Sequence, residues 1–231
     1  MNHYKHIFFD LDRTIWDFET NSNEKFRKIY EHYDLSSKGI PSWEEFRKRF
    51  ANHNEMLWDL YRQGKIKKER LSIQRFDLTL QDFGIHDPGM ASSIAHEYLT
   101  IRNEDVYLFP DAIDVLDYLY EKYVLHLITN GFEEVQVRKV NISGLDRFFK
   151  TFTTSEEAGV KKPDPGIFVY ALKKANADPA ESIMIGDDLE VDILGAKEIP
   201  MDQVYFNDKE KTHHEKVKYE IRELRELKEI F

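Results

Sequence analysis

One apolar strand pattern, HYKHIFFD over residues 3–10, runs straight into carboxylates, and no second strand pattern follows until after residue 120. The first strand must therefore find its sheet partners across a long intervening segment. Beyond that gap strands and helices alternate. VLHLITNG reads as a buried strand ended by Asn130-Gly131, FKTFTTSEE as a weaker one, ESIMIGDD as a strong one and DQVYFND as a short last one. Helical spacing of apolar residues fills the intervals Asp111–Lys122, Phe132–Val140, Pro165–Ala175 and Val191–Lys197. The terminal YEIRELRELKEIF places Ile221, Leu224, Leu227 and Ile230 three residues apart, which predicts a final helix packed on the core. Such alternation implies an α/β fold whose mainly parallel sheet is covered on both faces.

The intervening segment has a different texture. From Trp16 to about residue 100 it is dense in aromatic and charged residues and shows no convincing strand. Ser42 followed by Glu45 is a capping-box signature ahead of an amphipathic run through Trp58 and Tyr61. Gly84 fits as the stop of a helix over Lys68–Phe83, and Asp87-Pro88 as the cap and first turn of another. The expected organisation is a discontinuous core of residues 1–15 and 101–231, with residues 16–100 forming a helical insert of about four helices. Trp43, Phe46, Trp58 and Tyr61 could stack a base, but their helical spacing fits ordinary packing better.

The formal charge of -10 argues against a chain whose main work is non-specific contact with a nucleic acid polymer. No apolar stretch approaches the roughly 20 residues that span a bilayer. The start MNHYKHIFFD has too short an apolar run for a signal peptide. A cytoplasmic protein with no membrane partner is expected.

Chemistry gathers at the strand ends. In Asp10-Leu11-Asp12-Arg13-Thr14 the alternation of an extended backbone turns both carboxylates to one side, toward the crevice where open α/β sheets bind ligands. Two close carboxylates would repel a phosphate unless a hard cation such as Mg²⁺ joined them. One could then attack phosphorus, while the other handled protons. Taken alone, Asp-x-Asp at a strand end is more often a solvated turn. Thr129-Asn130-Gly131 offers a hydroxyl, a side-chain amide and free backbone N–H groups to phosphate oxygens, although an Asn-Gly turn explains it equally well. In Gly159-Val160-Lys161-Lys162-Pro163-Asp164-Pro165 the prolines hold a lysine in fixed orientation just before a helix. Gly186-Asp187-Asp188-Leu189-Glu190-Val191-Asp192 packs several carboxylates behind a glycine, which is costly without a cationic partner.

The order and spacing of these four segments resemble the haloacid dehalogenase superfamily along the whole chain. The resemblance implies a Rossmann-like, doubly wound parallel sheet with a helical C1-type cap inserted after the first strand and closing over the site. It implies Asp10 as nucleophile and Asp12 as general acid/base, whose backbone carbonyl also meets the metal. Thr129, Asn130 and Gly131 become the phosphate clamp and Lys162 the family lysine, with Lys161 as fallback. Asp187 becomes the third metal ligand beside Asp10 and Asp12, Asp192 the carboxylate that orients the lysine or a metal-bound water, and Asp188 a supporting group. Arg13 stands where many relatives have glycine, which puts the local loop geometry in question.

The stretches IFFDLDRTIWDF, MLWDLYRQGKIKKERL and LITNGF look like the bacterial 5′-nucleotidases that remove noncanonical pyrimidine nucleotides. That closer resemblance implies a nucleoside 5′-monophosphate as the small phosphate-ester partner, with Mg²⁺ as cofactor and a monomer or weak homodimer as the assembly. A sugar-phosphate phosphatase or phosphomutase of the same fold, and a catalytically silent nucleotide-binding protein, are the alternatives.

Overall fold

The computed structural model describes residues 3–101 and 106–231. Its elements run β1 (His6–Phe9), α1 (Phe18–His32), α2 (Trp43–Arg62), α3 (Lys68–Gln81), α4 (Pro88–Thr100), α5 (Ala112–Tyr120), β2 (Val124–Thr129), α6 (Glu133–Ile142) and β3 (Phe149–Thr154). There follow α7 (Ser155–Ala158), α8 (Pro165–Ala175), β4 (Ser182–Gly186), a wide π-type turn over Leu189–Leu194, α9 (Gly195–Lys197), β5 (Asp202–Phe206), β6 (Tyr219–Ile221) and a last short helix α10 (Leu227–Ile230).

Among the described residues the sheet has six strands in the order β3-β2-β1-β4-β5-β6, and every pairing is parallel. β1 lies between β2 and β4, with Ile7 opposite both Leu125 and Ile183. Chain order runs outward in opposite directions from β1, so the crevice beyond its carboxyl end is the switch point at which such sheets bind ligands. Both faces are covered. Ile7 and Phe9 pack with Val115, Leu116 and Leu119 of α5, whereas Phe8 faces Ile167, Phe168 and Ala171 of α8. That two-sided burial explains why the strand reads as a continuous apolar run.

The chain divides into two compact units, Met1–Phe18 with Val106–Phe231, and Glu19–Asp105. The junction expected at residues 100–101 runs into residues 102–105, which lie outside the described residues. The second unit is helical. Phe26, Phe46, Phe50, Phe76, Leu80 and Tyr98 fill its core, which makes Phe46 a packing residue. Ser42 Oγ accepts from the Glu45 N–H at the start of α2, and Asp87 Oδ1 from the Met90 N–H at the start of α4. Arg75, on α3, is buried among the rings of Phe50, Phe76 and Tyr98, with Nη1 donating to Asn54 Oδ1 at 3.0 Å. Burial pulls its pKa down to about 10. Among the described residues no helix is long and apolar enough to cross a membrane.

The structure corrects the expected terminal helix. Tyr219–Ile221 is a sixth strand, paired to β5 through Val204↔Tyr219 and Phe206↔Ile221, and only the residues after it turn helical. Ile221, Leu224 and Leu227 are buried as their spacing suggested. The free edge of β5 offers a ladder of unpaired backbone groups to the first of them, and this outweighs a weak helical pattern.

His126 sits at the centre of the sheet, fully buried. Its Nε2 lies 3.1 Å from His6 Nδ1, its Nδ1 lies 2.8 Å from Thr151 Oγ1, and its ring stacks on Phe8. Burial, then the neighbouring His6, pulls its pKa from 6.5 down to about 3. The unfolded chain therefore takes up a proton here that the folded chain refuses. Stability should be full above about pH 6.5 and fall as pH drops. Thermal midpoints followed from about pH 7 to pH 5 should show a steeper decline for the wild type than for His126→Gln; parallel slopes would refute this.

Candidate active site

Three strand ends and one loop build the site. Asp10 is the first residue past β1, and its N–H continues the ladder by donating to the Ile185 carbonyl at 2.9 Å. Thr129 ends β2, Asp187 follows β4, and Lys162 comes from the proline-bounded loop before α8. Parallel strands in register bring these ends to one edge of the sheet.

The centre of the site is Lys162. Its ammonium, 1% exposed as a residue, lies 2.6 Å from Asp10 Oδ1 and 2.6 Å from Asp192 Oδ1, and donates to the Ile128 carbonyl at 3.0 Å. Burial alone would discharge it, but Asp10 and Asp192 outweigh that and raise its pKa. The Asn130 side chain fixes the backbone behind it: Nδ2 donates to the Lys162 carbonyl and Oδ1 accepts from the Lys162 N–H, both at 2.8 Å. Asn130 thus spends its amide on positioning Lys162, where the sequence suggested a phosphate contact.

Thr129 Oγ1 accepts from the Gly131 N–H at 3.0 Å and from Gln136 Nε2 at 2.7 Å. With both lone pairs engaged, its own hydrogen is left to donate elsewhere, which suits a phosphate oxygen. The Gly131 N–H, expected on phosphate, is used within this turn. Gly131 is needed for a steric reason, since a Cβ there would sit 2.2 Å from Gln136 Nε2. Gly186 is similar: a Cβ would lie 2.3 Å from Asp192 Oδ2.

Asp12 is bonded by a different lysine. Its Oδ2 accepts from Gln136 Nε2 at 2.8 Å and its Oδ1 from Lys139 Nζ at 2.5 Å. Burial would raise its pKa, but Lys139, Gln136 and the more distant Arg13 hold it below the usual carboxylate range. Gln136 and Lys139 were missed in the sequence; their one signal is the i, i+3 spacing that puts both on one face of α6. Asp188 Oδ1 accepts from the N–H groups of Glu190 and Val191, so Asp188 caps the turn that carries Asp192. Arg13 holds φ +66°, the left-handed conformation that glycine adopts freely, and its guanidinium covers the Phe18 ring at 4.4 Å. Thr14, fully buried, points its hydroxyl at Asp187 Oδ1 from 3.5 Å.

The family profile of haloacid dehalogenase-like hydrolases matches residues 4–199. The chain belongs to this family. HAD-hydrolase YfnB of Bacillus subtilis, whose crystal structure was solved bound to magnesium, superposes with a TM-score of 0.87 at 27% identity over 98% of each chain. A glyceraldehyde 3-phosphate phosphatase of Pyrococcus furiosus is 40% identical over 100% of this chain and 94% of its own. Pyrimidine 5′-nucleotidase YjjG of Escherichia coli is 30% identical over 82% of this chain and 80% of its own.

A haloacid dehalogenase-like hydrolase with this geometry has a charge deficit. Oxygens of Asp10, Asp187 and Asp192 lie within 4.8 Å of one another, with one ammonium among three carboxylates. Burial, followed by the charges of Asp10 and Asp192, raises Asp187 well above the carboxylate range. Burial likewise raises Asp10 despite the pull of Lys162. A divalent cation would supply the two missing charges, and an all-oxygen set suits a hard one. Asp192 already gives Oδ1 to Lys162 and Oδ2 to the Asp188 N–H, so Asp10 and Asp187 are the carboxylates better placed to ligate it.

Repulsion at Asp187 makes a prediction of opposite signs. Asp187→Asn should leave the metal-free protein as stable as the wild type or raise its melting midpoint by about 2–4 °C, while removing the upward shift that Mg²⁺ gives the wild type. A variant that Mg²⁺ still stabilises with the wild-type dose dependence would take Asp187 out of the cation site.

Proposed function

We propose that this family member is a Mg²⁺-dependent phosphomonoester hydrolase that passes the phosphoryl group through Asp10, with a nucleoside 5′-monophosphate as its substrate. The observation that carries the reading is the contrast between two carboxylates at one strand end. Asp10 faces Lys162 among other carboxylates, whereas Asp12 is held apart by Lys139 and Gln136. Carboxylates kept in different surroundings are how one site divides nucleophile from acid/base.

Asp10, Asp187 and the Asp12 carbonyl would hold Mg²⁺, which would offset the charge of the carboxylates and of the incoming phosphate. Asp10 attacks phosphorus in line, and its bond to phosphorus forms as the ester oxygen leaves. Asp12, ionised at rest beside Lys139, takes up a proton from solvent before this step and passes it to that oxygen. Thr129 donates its free hydrogen to a phosphoryl oxygen, and Lys162 offsets charge on Asp10 and on the group in transfer. Asp12, now a carboxylate, takes a proton from water as water attacks phosphorus; inorganic phosphate leaves and Asp10 is restored.

The nucleotide choice is supported by the likeness to the pyrimidine 5′-nucleotidase of Escherichia coli. A second reading, a short sugar phosphate, is favoured by the higher identity to the glyceraldehyde 3-phosphate phosphatase. Phosphate release should be measured from pyrimidine monophosphates, glyceraldehyde 3-phosphate and hexose phosphates, with Mg²⁺ and with chelator. The expected result is Mg²⁺-dependent release, fastest from the pyrimidine nucleotides and reduced to background in Asp10→Asn. Preference for a sugar phosphate would replace the substrate, and release that survives Asp10→Asn would sink the mechanism.

A further inference from the structure

Two residues of α6 that the steps above do not use, Gln136 and Lys139, grip Asp12 with one bond to each carboxylate oxygen. Gln136 is fully buried, and its Nε2 bridges Asp12 Oδ2 and Thr129 Oγ1 at 2.8 and 2.7 Å. It is an expensive choice for packing alone, because its Oε1 is buried without a hydrogen-bond partner. An apolar side chain of the same volume would fill the space without that cost. Reversing the amide would set Oε1 against the Asp12 carboxylate, so the orientation is dictated by Asp12. Lys139 is confined as well: its ammonium lies 5.5 Å from the centre of the Trp16 ring and 5.6 Å from that of Phe18.

We infer that Gln136 and Lys139 are positioning residues for Asp12, holding its carboxylate in place once the proton has gone to the leaving group and aiming it for the water step. The inference rests on the hydrolase reading above. In the first step the Asp10–phosphorus bond forms, the phosphorus–ester oxygen bond breaks, and the Asp12 proton moves to that oxygen. In the second, the Asp12 carboxylate takes a proton from water, the water oxygen bonds phosphorus, and the Asp10–phosphorus bond breaks. The gripped carboxylate is the form that stands between the two steps. Through Gln136 its place is tied to Thr129, so the proton carrier and the phosphate donor share one spacer. Gly131, where no Cβ fits, lets that spacer approach the turn.

Leaving groups separate this role from a general structural one. An alkoxide needs a proton to depart, whereas 4-nitrophenolate does not. In single-turnover experiments with Mg²⁺, Lys139→Met should slow phosphoryl transfer from the wild type's best alkyl ester by about tenfold or more. Transfer from 4-nitrophenyl phosphate should stay within about twofold, and nitrophenolate should appear in a burst because the water step is slowed. Lys139→Arg should recover most of the alkyl rate. Gln136→Met, which conserves volume, should show the same split and serves if Lys139→Met does not fold. Equal losses on both esters, or none on either, would overturn the inference. Wild type and Asp10→Asn run on the same esters keep the readings apart: if the wild type turns over both and only the split is missing, the positioning role alone fails. A wild type that releases no phosphate from either ester ends both.

Discussion

The ammonium of Lys162 is where most of the site's requirements meet. Burying a lysine at 1% exposure is tolerable only with close anionic partners, and Asp10 and Asp192 supply them at 2.6 Å each. Those partners come from segments far apart in sequence, Asp10 past β1 and Asp192 from the turn after β4. The parallel pairing of β1 with β4 is therefore a condition for holding the charge. The Asn130 amide clamps the lysine backbone from the end of β2, and Gly186 leaves room for Asp192 to fold back against β4. One buried cation thus ties three strand ends together. It also orients the carboxylate proposed to attack.

That arrangement is incomplete in charge, and the deficit is informative. Lys162 serves two of three neighbouring carboxylates and leaves Asp187 disfavoured as an anion. A fold selected for stability alone would replace one acid with an amide. Keeping them all leaves the carboxylates repelling one another, a repulsion that a divalent cation would relieve. Affinity for a divalent ion would then come at the expense of stability of the metal-free protein. Asp12 stands outside this deficit because Lys139 supplies its own counter-charge, so two carboxylates two residues apart answer to different cations.

Much of this was legible because strand ends in an α/β sheet are marked twice, by an apolar run and by the polar residues that stop it. Asp10, Thr129 and Asp187 were proposed that way and do lie at the ends of β1, β2 and β4, and the two strands that flank β1 were read as strands by the same signal. Lys162 was legible over Lys161 only through its place before Pro163. The residues missed share one property: they act through tertiary contacts with no local signature. Gln136 and Lys139 lie on an ordinary amphipathic helix, and only the sheet register that sets α6 beside the end of β1 gives them a target. Asn130 was found but given a different task, since an Asn-Gly turn at a strand end reads the same whether its amide faces a ligand or a neighbouring loop. β6 was hidden because three-residue spacing fits a helix, while the vacancy beside β5 that recruits it is a property of the sheet. Arg75, buried among rings in the helical unit, had no pattern to betray it; a lone arginine on a helix normally lies in solvent.

Arg13 shows how a residue other than glycine can hold a left-handed turn. The left-handed turn after Asp12 costs an arginine about 1 kcal/mol that glycine would not incur. The turn is held by the Arg13 N–H donating to the Trp16 carbonyl at 2.9 Å, with the guanidinium laid over Phe18. Its positive charge works against the repulsion that raises Asp187 and helps hold Asp12 ionised. A glycine would relax the backbone and contribute neither effect. Arg13 therefore sets local strain against charge at an edge of the sheet where carboxylates are in excess: it holds the left-handed turn and also eases the site's electrostatics.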